Sequence, residues 1–177
     1  MNQYVILVDD KDRMIGKEEK LTAHSNGGIW HRAISVFVFN DKGETMLQRR
    51  ALSKYHTPGK WSNTCCSHPT PGEKSVTAAH RRLYEEMGFD CPMKYALMFK
   101  YEADVGKKLT EREYDHIFFG KFEGEPKLNP DEVVDWRWIS LSDLKNEITE
   151  DPEAFTPWLR LMVDTISKKY ADMAKEL

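Results

Sequence analysis

The stretch GEKSVTAAHRRLYEEMG, residues 72–88, decides the fold because its apolar residues recur with the period of a helix. Spacings of three and four residues separate Val76, Ala79, Leu83 and Met87. Such a stripe is typical of an amphipathic helix that buries one face. The stretch ends on Gly88, a residue type favoured just past a helix C-terminus. We therefore predict a helix here, with one side packed against the rest of the chain.

Strand-like sequences occupy most of the chain outside this helix. Apolar, β-branched and aromatic residues concentrate at 4–10, 33–40, 44–50, 95–103, 112–122 and 133–140. Polar turns after the first two of these runs predict two hairpins, the second of which pairs 33–40 with 44–50. Apolar spacing predicts a further helix over 158–170, and Ser140 can cap another. We predict a mixed α/β fold in a single domain, residues 1–177, with a helix held between sheets.

The composition is that of an ordinary globular protein, with 40% apolar and 31% charged residues. The 26 basic and 29 acidic side chains give a formal charge of −3, so we expect no nucleic-acid partner. No apolar run approaches the ~20 residues that a bilayer requires, so we expect no membrane partner. Three cysteines, two of them adjacent, predict free thiols and a cytoplasmic location.

The stretch 72–88 resembles the Nudix box, G-x5-E-x7-R-E-U-x-E-E-x-G-U. When Arg81 is set on the arginine of the pattern, the other matching residues are Glu73, Leu83, Glu85, Glu86, Gly88 and Phe89. The resemblance implies a Nudix-like fold of mixed β-sheets sandwiched with helices. It also implies a Mg²⁺ ion shared between carboxylates and a bound diphosphate, an arrangement that suits the ligand preferences of this ion.

Two positions depart from the Nudix pattern. Ser67 stands at its first glycine, and Arg82 replaces a glutamate that hydrolytic members use as a metal ligand. Because this position is cationic here, we expect the protein to bind a diphosphate without hydrolysing it. A simpler alternative is that Arg82 only forms a salt bridge with Glu86, four residues further along the same helix face.

Four further blocks resemble type 1 isopentenyl-diphosphate Δ-isomerase. They are RRALSKYHTPGKW (49–61), NTCCSHP (63–69), TEREYDHIF (110–118) and FTPW (155–158). The resemblance runs from about residue 3 to about residue 165. It implies a reversible 1,3-allylic proton shift between isopentenyl and dimethylallyl diphosphate, a step in isoprenoid biosynthesis. Such a reaction needs an acid and a base that face each other in a dry pocket.

The resemblance also implies the catalytic residues. Cys66, just before Ser67 and His68, stands at the position of the base that removes a proton from C2. Glu113 stands at the position of the acid that protonates the alkene, with Tyr101 beside it. Judged without the motif, Cys66 is better explained as a small buried apolar residue. We assign no role to Cys65 or Cys91.

Two metal sites follow from the same resemblance. The first would hold Zn²⁺ or Mn²⁺ through His24, His31, His68, Glu111 and Glu113. Three imidazoles and two carboxylates suit these ions better than Mg²⁺. The second would hold Mg²⁺ through Glu86, the substrate diphosphate and the backbone of Cys66. Three other histidines match no ligand position, and we expect them to be solvated: His56, His80 and His116.

The basic groups that the resemblance places on the diphosphate are Lys20, Arg50, Lys54 and Arg82. It places the ring of Trp158 over the alkene. Each lysine or arginine alone would be interpreted as a solvated surface charge, and Trp158 as a core residue at a helix start. The substrate partner would be a small isoprenoid diphosphate, and the protein a monomer or homodimer.

Two other functions remain as alternatives to an isomerase. The first is a Nudix hydrolase of a nucleoside or isoprenoid diphosphate, against which Arg82 argues. The second is a non-enzymatic zinc-stabilised binding module, which would need a closed, cysteine-containing site of four ligands. Cys65 and Cys66 lack the spacing of such a site.

Overall fold

A branched β-sheet forms the frame of the molecule, seen in a computed structural model that describes residues 3–177. The first two residues of the predicted domain lie outside the described residues. The strands are β1 Tyr4–Val8, β2 Met14–Glu19, β3 His31–Phe39, β4 Thr45–Arg50, β5 Trp61–Ser62, β6 Cys65–Ser67, β7 Met93–Gly106, β8 Leu109–Lys121 and β9 Val133–Ile139. The helices are α1 Lys20–His24, α2 Ser75–Met87, α3 Leu141–Glu150 and α4 Pro157–Met173, with a 3₁₀ turn at Pro152–Ala154.

Strand β3 is the centre of the sheet because its residues are almost all buried and it pairs along both edges. On one edge it runs parallel to β8, from His31 opposite Glu113 to Phe39 opposite Lys121. On the other edge it pairs with β6, where Ser35 lies opposite Cys66. The pairing therefore brings the segments that carry the predicted acid and base to the two sides of one strand.

The structure confirms the first predicted hairpin and corrects the second. Strands β1 and β2 pair along their length. The turn after β3 forms, but β3 and β4 pair only at Phe39 and Thr45. Strand β4 then diverges to pair with β5 and β9. The ladder predicted between 33–40 and 44–50 is wrong beyond its turn, because β8 and β6 occupy the edges of β3.

Helix α2 is the predicted helix, and it begins and ends close to the expected residues. Gly88 follows the last residue of the helix, and its φ of 71° favours glycine. A Cβ at this position would lie 2.2 Å from the carbonyl oxygen of Lys127, so a side chain would also clash. Leu83 and Met87 are buried as predicted, whereas Val76 is 41% exposed.

The two faces of β3 pack against different helices, which fixes the layer order. Ile34, Val36 and Val38 contact the apolar side of α2. Phe37 and Phe39 belong to the core on the other face, which includes α4. The alternation follows from the period of two in a strand. The predicted mixed α/β fold is confirmed, but the helix is not held between sheets: α2 and α4 pack on opposite faces of β3 in one branched sheet. Among the described residues, no helix has the length and apolar character needed to cross a bilayer.

An ion pair ties the loop before α2 to the helix itself. Glu73 accepts hydrogen bonds from Nε and Nη2 of Arg81, each over 2.8 Å, and from the N–H of Thr70 over 2.9 Å. The hydrogen bonds from Arg81 lower the pKa of Glu73 from 4.5 to about 2, against the opposing effect of burial.

We expect Glu73→Gln to lower the free energy of unfolding at pH 7 by about 1–2 kcal/mol, the scale of a partly exposed charge-assisted hydrogen bond. The folded pKa of Glu73 is depressed, so its contribution is full above the unfolded pKa of 4.5 and is lost as pH falls toward about 2. Urea unfolding of both proteins at pH 7 and pH 3.5 measures the difference, which should shrink at the lower pH. An equal difference at both pH values would contradict the assignment.

Candidate active site

A buried pocket opens between α2, strands β6 and β8, the loop after β4 and the start of α4. Its lining side chains are Lys20, Arg50, Lys54, Tyr55, His56, Cys66, Ser67, His68, Arg82, Tyr101, Glu111, Glu113 and Trp158. All the residues predicted to act on the substrate or bind it are in this set. Two predicted metal ligands, His24 and His31, lie fully buried behind the lining. Glu86 is also buried and contacts the lining through Arg82.

Three imidazoles and a carboxylate converge at one end of the pocket. His24, His31, His68 and Glu113 each offer a ligand atom, and these atoms lie within 4.8 Å of one another. Oε1 of Glu113 lies 2.9 Å from Nε2 of His68 and 3.3 Å from Nε2 of His31. The sheet register builds the cluster, because His31 and Glu113 are directly opposite each other on β3 and β8.

Backbone carbonyls orient two of these rings. Nδ1 of His24 lies 2.6 Å from the carbonyl of Lys20, and Nδ1 of His31 lies 2.7 Å from that of Ile29. With the proton on Nδ1, the Nε2 lone pairs face the cluster. Nε2 of His24 is buried and has no hydrogen-bond partner among residues 3–177. A buried, unpaired ring nitrogen beside two further imidazoles and a carboxylate fits a divalent metal ion.

Glu111 lies in a neighbouring group with His24 and His56. The hydroxyl of Tyr101 bridges the two carboxylates, at 2.9 Å from Oε2 of Glu111 and 2.6 Å from Oε2 of Glu113. Burial and the nearby charge of Glu113 raise the pKa of Glu111 well above its usual range. Burial would also raise the pKa of Glu113, but the three surrounding imidazoles outweigh burial and lower this pKa. Of the two carboxyl groups, Glu111 therefore has the higher pKa.

The expectation that His56 is solvated is wrong. His56 is buried, and its Nε2 lies 3.6 Å from Oε1 of Glu111. Its ring stands edge-on to Trp158. Burial, with Arg50 nearby, lowers the pKa of His56 to about 2, so the ring is neutral. The loop after β4 folds over the pocket and carries His56 inward, a long-range effect that the local sequence did not indicate.

The other two histidines outside the cluster pair with aspartates near the surface. His80 is half-buried, with Nδ1 2.6 Å from Oδ1 of Asp90. Nε2 of His116 lies 2.7 Å from Oδ2 of Asp12 in the β1–β2 turn. Both rings lie outside the pocket lining, and His116 is more buried than the sequence predicted.

Cys65 and Cys66 point to opposite faces of β6. Cys65 is fully buried in the core against α2. Cys66 faces the pocket, and its Sγ lies 3.9 Å from Nη1 of Arg50 and 3.8 Å from Oγ of Ser62. Burial raises the pKa of the Cys66 thiol to about 12, with Arg50 opposing the shift. Both thiols are free, as is that of Cys91.

Four cations gather at the end of the pocket near α2: Lys20, Arg50, Lys54 and Arg82. Burial and the other three cations lower the pKa of Lys20. Crowding of this kind favours a multiply charged anion as the occupant. By contrast Arg49, the neighbour of Arg50, is exposed.

Glu132 is a site residue that the sequence analysis missed. It pairs with Lys54, and its Oε1 accepts from Nη2 of Arg82 over 3.1 Å. Arg82 also bonds Glu85 and Glu86, over 2.6 and 2.7 Å. The salt bridge to Glu86, the simpler alternative for Arg82, is therefore present. No sequence motif surrounds Glu132. Only the fold, which brings this residue from just before β9 to Lys54 and Arg82, shows that it belongs to the site.

Trp158, at the start of α4, lines the pocket next to the ring of His56. It is 2% exposed, and its indole N–H lies 3.0 Å from Oγ of Ser62 and 3.1 Å from Oδ1 of Asn63. The guanidinium of Arg50 lies 5.3 Å from its ring centre. The hydrogen bonds fix the indole plane, and the cation contact shows that its face accepts positive charge.

The fold and the helix motif define a class of protein. Residues 29–159 match the NUDIX domain family. Two solved structures share the fold at low sequence identity. The DR0079 protein of Deinococcus radiodurans is 18% identical with a TM-score of 0.78, covering 92% of this chain and 98% of that one. A MutT protein from Methanosarcina mazei has 19% identity and a TM-score of 0.65, covering 79% of this chain and 94% of that one.

Relatives that are similar over nearly their whole length show which family within this class the chain belongs to. Isopentenyl-diphosphate Delta-isomerase 2 of Aromatoleum aromaticum is 50% identical over 94% of this chain and 87% of its own length. Isopentenyl-diphosphate Delta-isomerase 2 of Photorhabdus laumondii is 46% identical over 94% of both. The enzyme of Serratia proteamaculans with the same family name is 45% identical, over 93% of this chain and 92% of its own. The chain belongs to the isopentenyl-diphosphate Delta-isomerase family, within the Nudix fold.

Proposed function

We propose that the protein interconverts isopentenyl diphosphate and dimethylallyl diphosphate by adding a proton at one carbon and removing a proton from another. The observation that carries the proposal is one buried pocket that holds a thiol, a carboxylate–tyrosine pair and a cluster of cations. The relatives that share 45 to 50% of their residues with the chain are named for this activity. We also propose that the whole chain acts as one catalytic domain, since the pocket draws on residues from Lys20 to Trp158.

The cation cluster would bind the diphosphate. Arg50 and Arg82 can each grip phosphate oxygens with two N–H groups, and Lys20 and Lys54 add point charges. Arg82 and Lys54 form ion pairs with Glu132. These ion pairs keep the side chains ordered, and a diphosphate would compete for them. Glu86 and the backbone of Cys66 would hold the accompanying Mg²⁺.

The acid would be Glu113, with Tyr101 as the link to Glu111. The hydroxyl of Tyr101 lies between the two carboxylates, so a proton on Glu111 has a hydrogen-bonded route to Glu113. Glu113 would deliver a proton to the terminal alkene carbon C4, which leaves positive charge at C3. The indole face of Trp158 would stabilise that charge by roughly 0.5–2 kcal/mol.

The base would be the Cys66 thiolate, which takes a proton from C2 so that the double bond forms between C2 and C3. Burial raises the pKa of this thiol, and the guanidinium of Arg50 opposes that shift and would favour the thiolate. One turnover leaves Glu113 without its proton and Cys66 with one, so solvent exchange must reset both. The reverse reaction uses the same two groups in exchanged roles.

His24, His31, His68 and Glu113 would hold Zn²⁺ or Mn²⁺, with Glu111 as a further ligand. Such an ion, when bound, draws electron density from the carboxyl group and makes Glu113 a stronger acid. The chain supplies the orientation of the ligands, through the carbonyls that fix His24 and His31.

We also propose that the protein works in the cytoplasm, a reducing compartment in which thiols stay free. All three cysteines are free thiols, which supports this location.

Incubation with isopentenyl diphosphate, Mg²⁺ and Mn²⁺ separates this proposal from a Nudix hydrolase. We expect dimethylallyl diphosphate to accumulate to an equilibrium mixture, followed by NMR, with no release of phosphate or diphosphate. Arg82 is the reason for the second expectation, because it occupies the position of a metal-binding glutamate in hydrolytic members. Release of phosphate without dimethylallyl product would instead assign the protein as a hydrolase.

A further inference from the structure

The side chain of Gln48 links the proposed Mg²⁺ ligand Glu86 to the backbone just before β6, the strand of the proposed base. Gln48 is 1% exposed and lies on β4, opposite Ser62 of β5 and Trp136 of β9. Its amide nitrogen donates to Oε2 of Glu86 over 2.8 Å and to the carbonyl of Thr64 over 2.9 Å. Both amide hydrogens are therefore used, and a strand paired on both sides holds the backbone.

The two oxygens of Glu86 have different partners. Oε2 accepts from Gln48, and Oε1 accepts from Nη2 of Arg82 over 2.7 Å. Arg82 lines the pocket with the other cations, whereas Gln48 is outside the lining. An incoming diphosphate would compete for Arg82 but not for Gln48. Oε1 is therefore the oxygen that becomes available on the pocket side.

The chemistry of an amide suits this position. A neutral N–H donor stabilises an ionised carboxylate without adding a positive charge that would repel a metal ion. Metal ligands are commonly oriented by such outer hydrogen bonds, and losing one typically costs about 10–100-fold in metal affinity or activity. The bond from Gln48 to Thr64, two residues before Cys66, also fixes the carboxylate relative to β6.

We propose that Gln48 is a positioning residue for Mg²⁺ binding: it holds Oε2 of Glu86 and so directs Oε1 toward the diphosphate end of the pocket. This inference rests on the proposed function, in which Glu86 and the diphosphate share Mg²⁺. Gln48 contacts neither the diphosphate nor the reacting carbons, and it acts through Glu86.

Calorimetric binding of inorganic diphosphate, with and without Mg²⁺, tests the role of Gln48. For the wild-type protein we expect Mg²⁺ to tighten binding. In Gln48→Met, a change of similar volume, we expect this gain to fall about 10–100-fold. Binding without Mg²⁺ should be unchanged, because Lys20, Arg50 and Lys54 are untouched. A role in packing alone would weaken both measurements equally, and that result would overturn the proposal.

Two controls separate the Gln48–Glu86 bond from a general loss of stability. The amide of Asn40 donates to Oε2 of Glu44 over 2.7 Å at the β3–β4 turn, outside the pocket lining. Asn40→Leu should lower the melting temperature but keep the full Mg²⁺-dependent gain. In a Glu86→Gln background, Gln48→Met should change that gain no further, because the two residues act as one unit.

The outcomes distinguish this proposal from the proposed function. If Mg²⁺ helps the wild type and Gln48→Met equally, the role of Gln48 is overturned and the function stands. If Mg²⁺ gives the wild type no gain, the shared Mg²⁺ site is overturned together with the role of Gln48. If Gln48→Met does not fold, Gln48→Asn replaces it. The shorter amide cannot span the same distance to Glu86, so the same loss is expected.

Discussion

Cys66→Ala is expected to reduce the isomerase rate by about 10²–10⁴-fold, the usual contribution of a general base. The reason is geometric: Cys66 is the thiol that faces the pocket, close to Arg50. The rate of dimethylallyl diphosphate formation measures the effect. Diphosphate binding should be retained, because the substitution leaves all four cations in place.

Cys65→Ala is the matched control for this prediction. The two residues are sequence neighbours and both are free thiols, but Cys65 is fully buried on the α2 side of β6. We expect this variant to keep most of its activity and to lose about 1 kcal/mol of unfolding free energy, a typical cost for a small core deletion. A comparable loss of activity in both variants would show that the assignment of Cys66 as the base is wrong.

Glu113→Gln is the second change with a large expected effect. The amide keeps the size of the side chain but cannot deliver the proton that a carboxylic acid would, so we expect a rate about 10²–10⁴-fold lower. Inorganic diphosphate should still bind, since Glu113 lies among the histidines and the cations lie at the α2 end of the pocket. Calorimetry and the product assay together measure the two expectations.

Arg82→Gln provides the opposite control to Glu113→Gln. It removes one of the clustered cations and should weaken diphosphate binding while leaving the hydrogen bonds between Tyr101 and the two carboxylates intact.

Full turnover by Glu113→Gln would refute the assignment of the acid. Loss of diphosphate binding in the same variant would instead show that Glu113 organises the whole pocket.

The parts of the fold that local sequence determines were predicted well. Helix α2 has a regular apolar stripe and a glycine at its end, and both signals arise within one short stretch. The pairing of β4 was predicted poorly, because its partners β5 and β9 are chosen by contacts distant in sequence. The prediction of a turn after β3 is confirmed. The sequence around β3 does not show that β8, about 80 residues further along, pairs with the edge of β3.

The site shows the same division between local and distant signals. A motif placed Cys66 and the carboxylates of β8, and the structure brings them to one pocket. Burial of His56 and the ion pairs of Glu132 depend on where the loop after β4 and the segment before β9 fold, which no local pattern encodes. Gln48 likewise acquires its partner Glu86 only through tertiary contact.

The most direct test of the central claim is proton exchange with isopentenyl diphosphate in deuterated water, run with and without a chelator. With Mg²⁺ and Mn²⁺ present, we predict deuterium at C2 and C4 and no release of phosphate. With the chelator, exchange should stop, because the proposed acid and the diphosphate clamp both depend on divalent ions. Phosphate release without exchange would contradict the account, as would exchange that continues undiminished in the chelated protein.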